Sequence, residues 1–162
     1  QSVVSLVQPT TKHLDVDLDW QSPAEDAIVS GNAEDLEQLL INLVLNAVEA
    51  ASRLPACDAG TPPSATGARS PTKSPNRPRV EIRIRRDGDR VLLDVEDSGR
   101  GPPVELQSTL FDAFSSDKPE GTGLGLSVAR QIAVDHQGDL RWDRYDETTR
   151  FTLDLPGMNE ER

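Results

Sequence analysis

The residues whose types and spacing could do chemistry are two asparagines one helical turn apart, Asn42 and Asn46, an acidic loop and a glycine cluster. The loop is Asp97-Ser98-Gly99-Arg100-Gly101 and the cluster is Gly121-Thr122-Gly123-Leu124-Gly125-Leu126. Three glycines in five residues let backbone N–H groups converge without Cβ obstruction, and an amphipathic run follows at once. A phosphate would sit at such a helix start, where the first N–H groups lack intrahelical partners. A plain glycine-rich turn before a helix would look the same on this string alone. No Gly-Lys-Ser/Thr follows, so the Walker pattern is absent, and no strand immediately precedes the glycines as the dinucleotide fingerprint requires.

The asparagines are informative because of where they fall. On a wheel advancing about 100° per residue, Asp35, Gln38, Asn42, Asn46, Glu49 and Arg53 form one narrow stripe, and Leu, Ile, Val and Ala cover the rest. A surface helix would show a broader polar side, and Asn is a poor helix former. Amide oxygens can ligate a hard cation without adding charge, and Mg²⁺ keeps few protein ligands because substrate phosphates and water complete its octahedron. Buried amides that are merely hydrogen-bonded would explain the pair equally well. Asp97 would lie where the backbone turns away, so its carboxylate could accept an exocyclic amino proton, a feature that separates adenine from guanine. The alternative is an Asp-Ser-Gly turn whose side chain bonds its own backbone.

The elements that must position these groups follow from periodicity. Residues 2–12 carry a short helical pattern, and His13 to Trp20 alternate as a half-buried strand does. Ala27 to Ser30 is a second short strand candidate, and Asn32 can cap a long helix from about Ala33 to Arg53. Six of the twelve prolines fall between about Pro55 and Pro78, a stretch without alternation or repeat, read as a flexible insertion. Arg79 to Arg85, a turn at Asp87-Gly88-Asp89, and Arg90 to Asp97 form a hairpin. Leu126 to His136 place Leu126, Ala129, Ile132 and Ala133 on one face, with Gly138 as the stop. Strand signals return in Asp139 to Trp142 and in Thr149 to Leu155, ending at Pro156. Interspersed helices and strands argue an α/β two-layer sandwich.

Bulk properties narrow the function. The 162 residues suit one domain, and an aromatic content of 4% leaves aliphatic side chains to fill its core. A net charge of −11 opposes the phosphate attraction that nucleic acids need, so DNA and RNA are discounted as partners. The apolar stretch Leu39 to Val48 is too short to cross a bilayer, and no signal segment is evident, so this piece is expected to be soluble and free of membrane contact. A single cysteine, Cys57, rules out an internal disulfide and fits a cytoplasmic setting, whether or not the parent protein is membrane-anchored.

The order and spacing of these pieces resembles the catalytic ATP-binding domain of sensor histidine kinases, within the GHKL superfamily that includes gyrase, heat-shock chaperone and mismatch-repair ATPases. Gly31 to Gln38 leading to Asn42 to Ala50 looks like the N box, Asp97 to Gly101 like G1, Leu110-Phe111-Asp112-Ala113-Phe114 like the F box, and Lys118 to Leu126 like the end of the ATP lid plus G2. The resemblance implies a mixed, mostly antiparallel sheet packed on about three helices, the Bergerat-type fold, with a lid over about residues 102–120. It implies ATP and Mg²⁺ as cofactors. Asn46 would be the principal Mg²⁺ ligand with Asn42 assisting, Asp97 would read the adenine amino group, and Gly99 and Gly101 would let the base lie close. Gly121, Thr122, Gly123, Leu124, Gly125 and Leu126 would wrap the phosphates, Lys118 would reach a phosphate oxygen from the lid, and Thr149 would support Asp97 and adenine. Phe111 and Phe114 would anchor the lid by packing.

Departures from the family pattern carry meaning. Hydrolytic branches place a Glu one turn before the metal-binding Asn, whereas Asn42 here cannot act as a base at neutral pH, which favours transfer over hydrolysis. Many histidine kinases carry a basic residue three positions after that Asn, where this chain has Glu49, leaving more of the phosphate contact to Lys118. Neither His13 nor His136 suits the phosphoacceptor, so the dimerisation and acceptor-histidine domain is expected to lie before Gln1 and to make a homodimer of the parent, with a response regulator downstream. The alternatives are an anti-sigma-factor-type serine kinase and a non-catalytic ATP-sensing or scaffold module.

Overall fold

Asn32 sets the longest helix in motion: its side chain accepts from the Glu34 N–H at 2.9 Å, satisfying one of the donors that a helix start leaves open. The computed structural model describes residues 2–21, 27–53, 77–115 and 122–158. In chain order these form α1 (Ser2–His13), β1 (Asp17–Gln21), α2 (Ala33–Ser52), β2 (Arg79–Asp87), β3 (Arg90–Asp97), a 3-10 turn (Val104–Leu106), α3 (Gly125–Asp135), β4 (Asp139–Tyr145) and β5 (Thr148–Pro156). The described strands make one sheet in the order β1-β2-β3-β5-β4, with β1 parallel to β2 and every other pair antiparallel. Three helices on a mixed, mostly antiparallel sheet is the architecture expected.

Strand alternation separates the two faces of the sheet. Val80, Ile82, Leu93, Val95, Leu140, Phe151, Leu153 and Leu155 face the helices and are buried with Leu39, Leu43, Val44, Ala47, Val48 and Ala51 of α2. Ala129 and Ala133 of α3 are fully buried, and these small residues let α3 lie close beside α2. The helices are also tied polarly at two places. The Asn42 Nδ2 donates to the Gly125 carbonyl at 3.3 Å. At the other end, the Asn32 N–H donates to His136 Nε2 at 3.1 Å while His136 Nδ1 lies 2.8 Å from the Ile132 carbonyl. Gly31 makes room for that ring, since a Cβ there would lie 2.2 Å from it.

The opposite face is a lattice of charge. Glu81 accepts from Gln21 and Arg83, Glu96 pairs with Arg83 at 3.4 Å and Arg150 at 4.0 Å, and Asp94 accepts from Thr152 at 2.7 Å and Arg85 at 3.3 Å. These carboxylates are buried beneath the longer arginine stems, which cover a face that no helix covers among the described residues.

Three boundaries differ from the sequence reading. His13 ends α1, and Leu14-Asp15 form a turn with Asp15 at φ 53°, so the alternation from His13 holds as strand only from Asp17. Residues 27–30 form no strand: Val29 makes a single bridge to Gly157. Pro156 has no N–H to extend a ladder, and the Gly157 N–H is used on the Asp89 carbonyl at 2.7 Å. At the end of α3 the left-handed residue is Gln137 (φ 58°), not Gly138. Gly138 is required by proximity, because its N–H donates to the Ala133 carbonyl at 2.8 Å and a Cβ would lie 2.4 Å from the Asp154 carbonyl oxygen of β5. The segment 55–78 lies outside the described residues except for Arg77 and Pro78; Arg77 pairs with Asp15 and Asp17 beside β1.

Gly138→Ala is expected to destabilise the fold by about 1–3 kcal/mol, because backbone on both sides must shift; an unchanged urea midpoint would contradict the close approach.

Candidate functional site

One cross-strand row builds the floor of the site. Val80 on β2 pairs with Asp97 on β3, Asp97 with Thr149 on β5, and Thr149 with Arg144 on β4. Alternation points all four toward the helices, so a carboxylate, a hydroxyl and a guanidinium stand in line where apolar residues occupy the rows below. Above them a cleft of about 780 Å³ is walled by Asn42, Asn46 and Glu49 of α2, by the loop from Arg100 to Leu110, and by Thr122, Gly123, Gly125 and Leu126 at the start of α3. Its size suits a nucleotide-sized ligand.

Asp97 is 2% exposed, and its Oδ1 accepts from the Gly99 N–H at 2.8 Å. The local turn and the buried cleft carboxylate are therefore both realised. Burial pushes the Asp97 carboxyl up to about 6, opposed by the Gly99 N–H and by the nearby Arg144 guanidinium. Thr149 is equally buried and accepts from Arg144 Nη1 at 2.8 Å. Gly99 is forced by contact: a Cβ would lie 2.7 Å from the Ala50 carbonyl oxygen and from Asp97 Oδ1. Gly101 adopts φ +76° with Arg144 packed against it.

On the α2 wall, Asn46 lines the cleft, while Asn42 ties elements together: its Oδ1 accepts from Gln38 Nε2 at 3.0 Å and its Nδ2 holds Gly125. Glu49 and Arg53 continue the same stripe into the cleft. At the α3 start, Gly125 differs from Gly99, Gly101 and Gly123 because nothing lies within 4 Å of where its Cβ would be, so the backbone is open to a ligand at a helix N-terminus. Thr122, Gly123 and Leu126 join that wall, and Leu124, at the N-cap position of α3, is 36% exposed and is not among the residues lining the cleft. Lys118 and Gly121 lie outside the described residues.

The F-box phenylalanines have unlike roles. Phe111 packs edge-on to Phe151 (centroids 6.3 Å, 86°), with the Arg130 guanidinium 5.0 Å from its ring centre. Phe114 anchors by backbone alone: at φ 67° its N–H donates to the Gly123 carbonyl at 3.0 Å and its ring is 77% exposed. Gly123 permits this neck, since a Cβ would lie 2.5 Å from the Phe114 carbonyl carbon.

The described lining fits an anionic ligand. Arg53, Arg100 and Arg144 face Glu49 and Asp97, a local excess of positive charge in a chain of net charge −11. No group of three or more His, Cys, Asp or Glu that could hold a metal exists among the described residues, so a cation here would depend on amide oxygen and on the ligand's own phosphates.

The family described as histidine kinase-, DNA gyrase B- and HSP90-like ATPases matches residues 31–159. The chain belongs to this family. Sensory histidine kinase/phosphatase NtrB of Azospirillum brasilense is 35% identical over 136 residues, covering 82% of this chain and 31% of that protein. NtrB of Salmonella typhimurium is 34% identical over 159 residues, covering 96% of this chain and 40% of that protein. The chain thus spans about a third to two-fifths of these relatives. The nucleotide-free catalytic domain of histidine kinase ThkA aligns with a TM-score of 0.74 at 26% identity, covering 99% of this chain and 91% of that one.

Within this ATPase family fold, the structure brings Asn42, Asn46, Asp97, Gly101, Thr122, Gly123, Gly125, Leu126 and Thr149 to one cleft, with Gly99 pressed beneath it. Arg144 escaped the sequence reading. Its signal was present: Leu140 and Trp142 define the helix-facing parity of β4, and Arg144 continues it with a charge.

Because the folded Asp97 pKa of about 6 exceeds its ordinary 3.8, the ionised carboxylate opposes folding above that window. Asp97→Asn is expected to raise stability at about pH 7.5 by up to about 3 kcal/mol, with the gain vanishing toward about pH 4. Urea unfolding at both pH values checks this; a variant less stable at the higher pH would contradict it.

Proposed function

We propose that this chain is the ATP-binding, phosphoryl-donating domain of a sensor histidine kinase, giving the γ-phosphate to a histidine on a dimerisation domain of the same parent protein. The observation that carries the reading is the single cleft with a buried carboxylate at one end, an open glycine helix start in another wall, and Asn46 facing in from α2. Asp97 would accept from the adenine amino group, with Thr149 and the close backbone of Gly99 and Gly101 holding the base in place. The N–H groups at Gly123 and Gly125, together with Thr122 and Leu126, would wrap the phosphates, joined by Gly121 and Lys118 from the lid.

The residues present fit Mg²⁺ in the manner of a site that shares ligation with phosphate: Asn46 would hold it, with Asn42 assisting. When bound, the cation neutralises charge on the transferring phosphoryl group. The protein's own share is positioning. Asn42, an amide held between Gln38 and Gly125, cannot take a proton from water, so the cleft lacks a base where hydrolysis would need one. A response regulator would be the next phosphoryl acceptor; the structurally similar ThkA has been solved with the response regulator TrrA. No described helix is long and apolar enough to cross a membrane, consistent with a domain acting on the cytoplasmic side.

Calorimetric titration with a non-hydrolysable ATP analogue is expected to show binding that tightens at least about tenfold with Mg²⁺, a gain of about 1.4 kcal/mol. Asn46→Ala is expected to abolish that gain while leaving metal-free binding intact, and Mg²⁺-independent binding by the unaltered protein would refute the Asn46 role. With γ-labelled ATP, the chain alone is expected to acquire no stable acid-labile label.

A further inference from the structure

Arg144 is a charged residue on a parity that β4 otherwise gives to the core, and three separate surfaces fix it. Its Nη1 donates to the Gly99 carbonyl at 3.0 Å and to Thr149 Oγ1 at 2.8 Å, and the Gly101 backbone lies so close that a Cβ would stand 2.7 Å from Nη1 and 3.1 Å from Cδ. Arg141 and Arg150, its neighbours on the opposite face, each pair with a carboxylate, whereas Arg144 makes no ion pair within 4.0 Å among the described residues. Its Nε and Nη2 likewise have no hydrogen-bond partner there, yet the residue lines the cleft. A guanidinium held by one nitrogen, with the rest of its rigid fork unspent beside a buried carboxylate, is built to donate to a ligand.

We propose that Arg144 is a specificity-determining residue that donates to the ring N1 of adenine, next to the amino group accepted by Asp97. The inference rests on the adenine-nucleotide reading above and adds to it a direct partner for the ring. Adenine presents an amino donor beside the N1 acceptor, and Asp97 with Arg144 presents an acceptor beside a donor. Guanine in the same pose would set its O6 acceptor against the carboxylate and its N1–H against the guanidinium, opposing like with like at both positions.

The test pairs a nucleotide change with a residue change. ADP and 1-deaza-ADP, which has carbon in place of N1, are titrated calorimetrically into the unaltered chain and into Arg144→Ala. The unaltered chain is expected to bind ADP about tenfold more tightly than 1-deaza-ADP, in keeping with one charge-assisted hydrogen bond. Arg144→Ala is expected to bind both nucleotides alike, at the weaker level. Equal weakening of both by the substitution would overturn the proposal, since that is what mere support of the Gly99 loop predicts. No weakening, or no preference for ADP in the unaltered chain, would overturn it too. If Arg144→Ala does not fold, Arg144→Met, which keeps the aliphatic stem and has no donor, is measured against the same criterion. Failure of the unaltered chain to bind ADP at all would instead refute the adenine-nucleotide reading, and this assignment with it.

Discussion

Asp97 is taken out of water with no ion pair within 4.0 Å among the described residues and only a partial offset from the Arg144 guanidinium, and the rest of the structure is arranged around that cost. Its ladder neighbours are a buried valine and a buried threonine, and Gly99 supplies the one direct donor from a loop that Ala50 presses from above. A carboxyl so placed favours its neutral form, and only a ligand offering a donor repays its ionisation. Stability is thereby surrendered at the point where binding needs an unsatisfied acceptor, the usual relation between strain and function.

Much of this was legible in residue order. The Asn32 cap, the apolar wrap of α2, the hairpin around Gly88 and the alternation of β5 each follow from a local rule that nothing elsewhere in the chain contradicts. The narrow polar stripe of α2 was informative for the same reason: its later part, Asn42, Asn46, Glu49 and Arg53, lines the cleft, while Asp35 and Gln38 lie at the exposed helix start. The failures share a cause too. Alternation from His13 was real but local, and a helix end overrode it. Val29 could bridge only what the ends of other strands left unpaired. Phe114 looked like packing because it is aromatic, while its backbone angle, set by Gly123, turned the ring outward. Arg144 required knowing that β4 lies beside β5 in a register that sets residue 144 against 149, which no local pattern reveals.

The sheet divides the electrostatics of the molecule. Its outer face neutralises acid with arginine in short cross-strand steps, so charges there are mutually satisfied. The cleft does the reverse, keeping Arg144 without an ion pair within 4.0 Å among the described residues. Strand alternation allows both on the same four strands, since adjacent residues serve opposite faces.

The paired ties between α2 and α3 have a mechanical consequence. Asn42 fastens the start of α3 to the middle of α2, and His136 fastens the end of α3 to the first residue before α2. With alanines closing the gap between those points, two walls of the cleft behave as one rigid jaw. The opposing wall, from Arg100 through the Phe114 neck, meets that jaw through different contacts, the Phe114 N–H on the Gly123 carbonyl and the Arg130 guanidinium over the Phe111 ring.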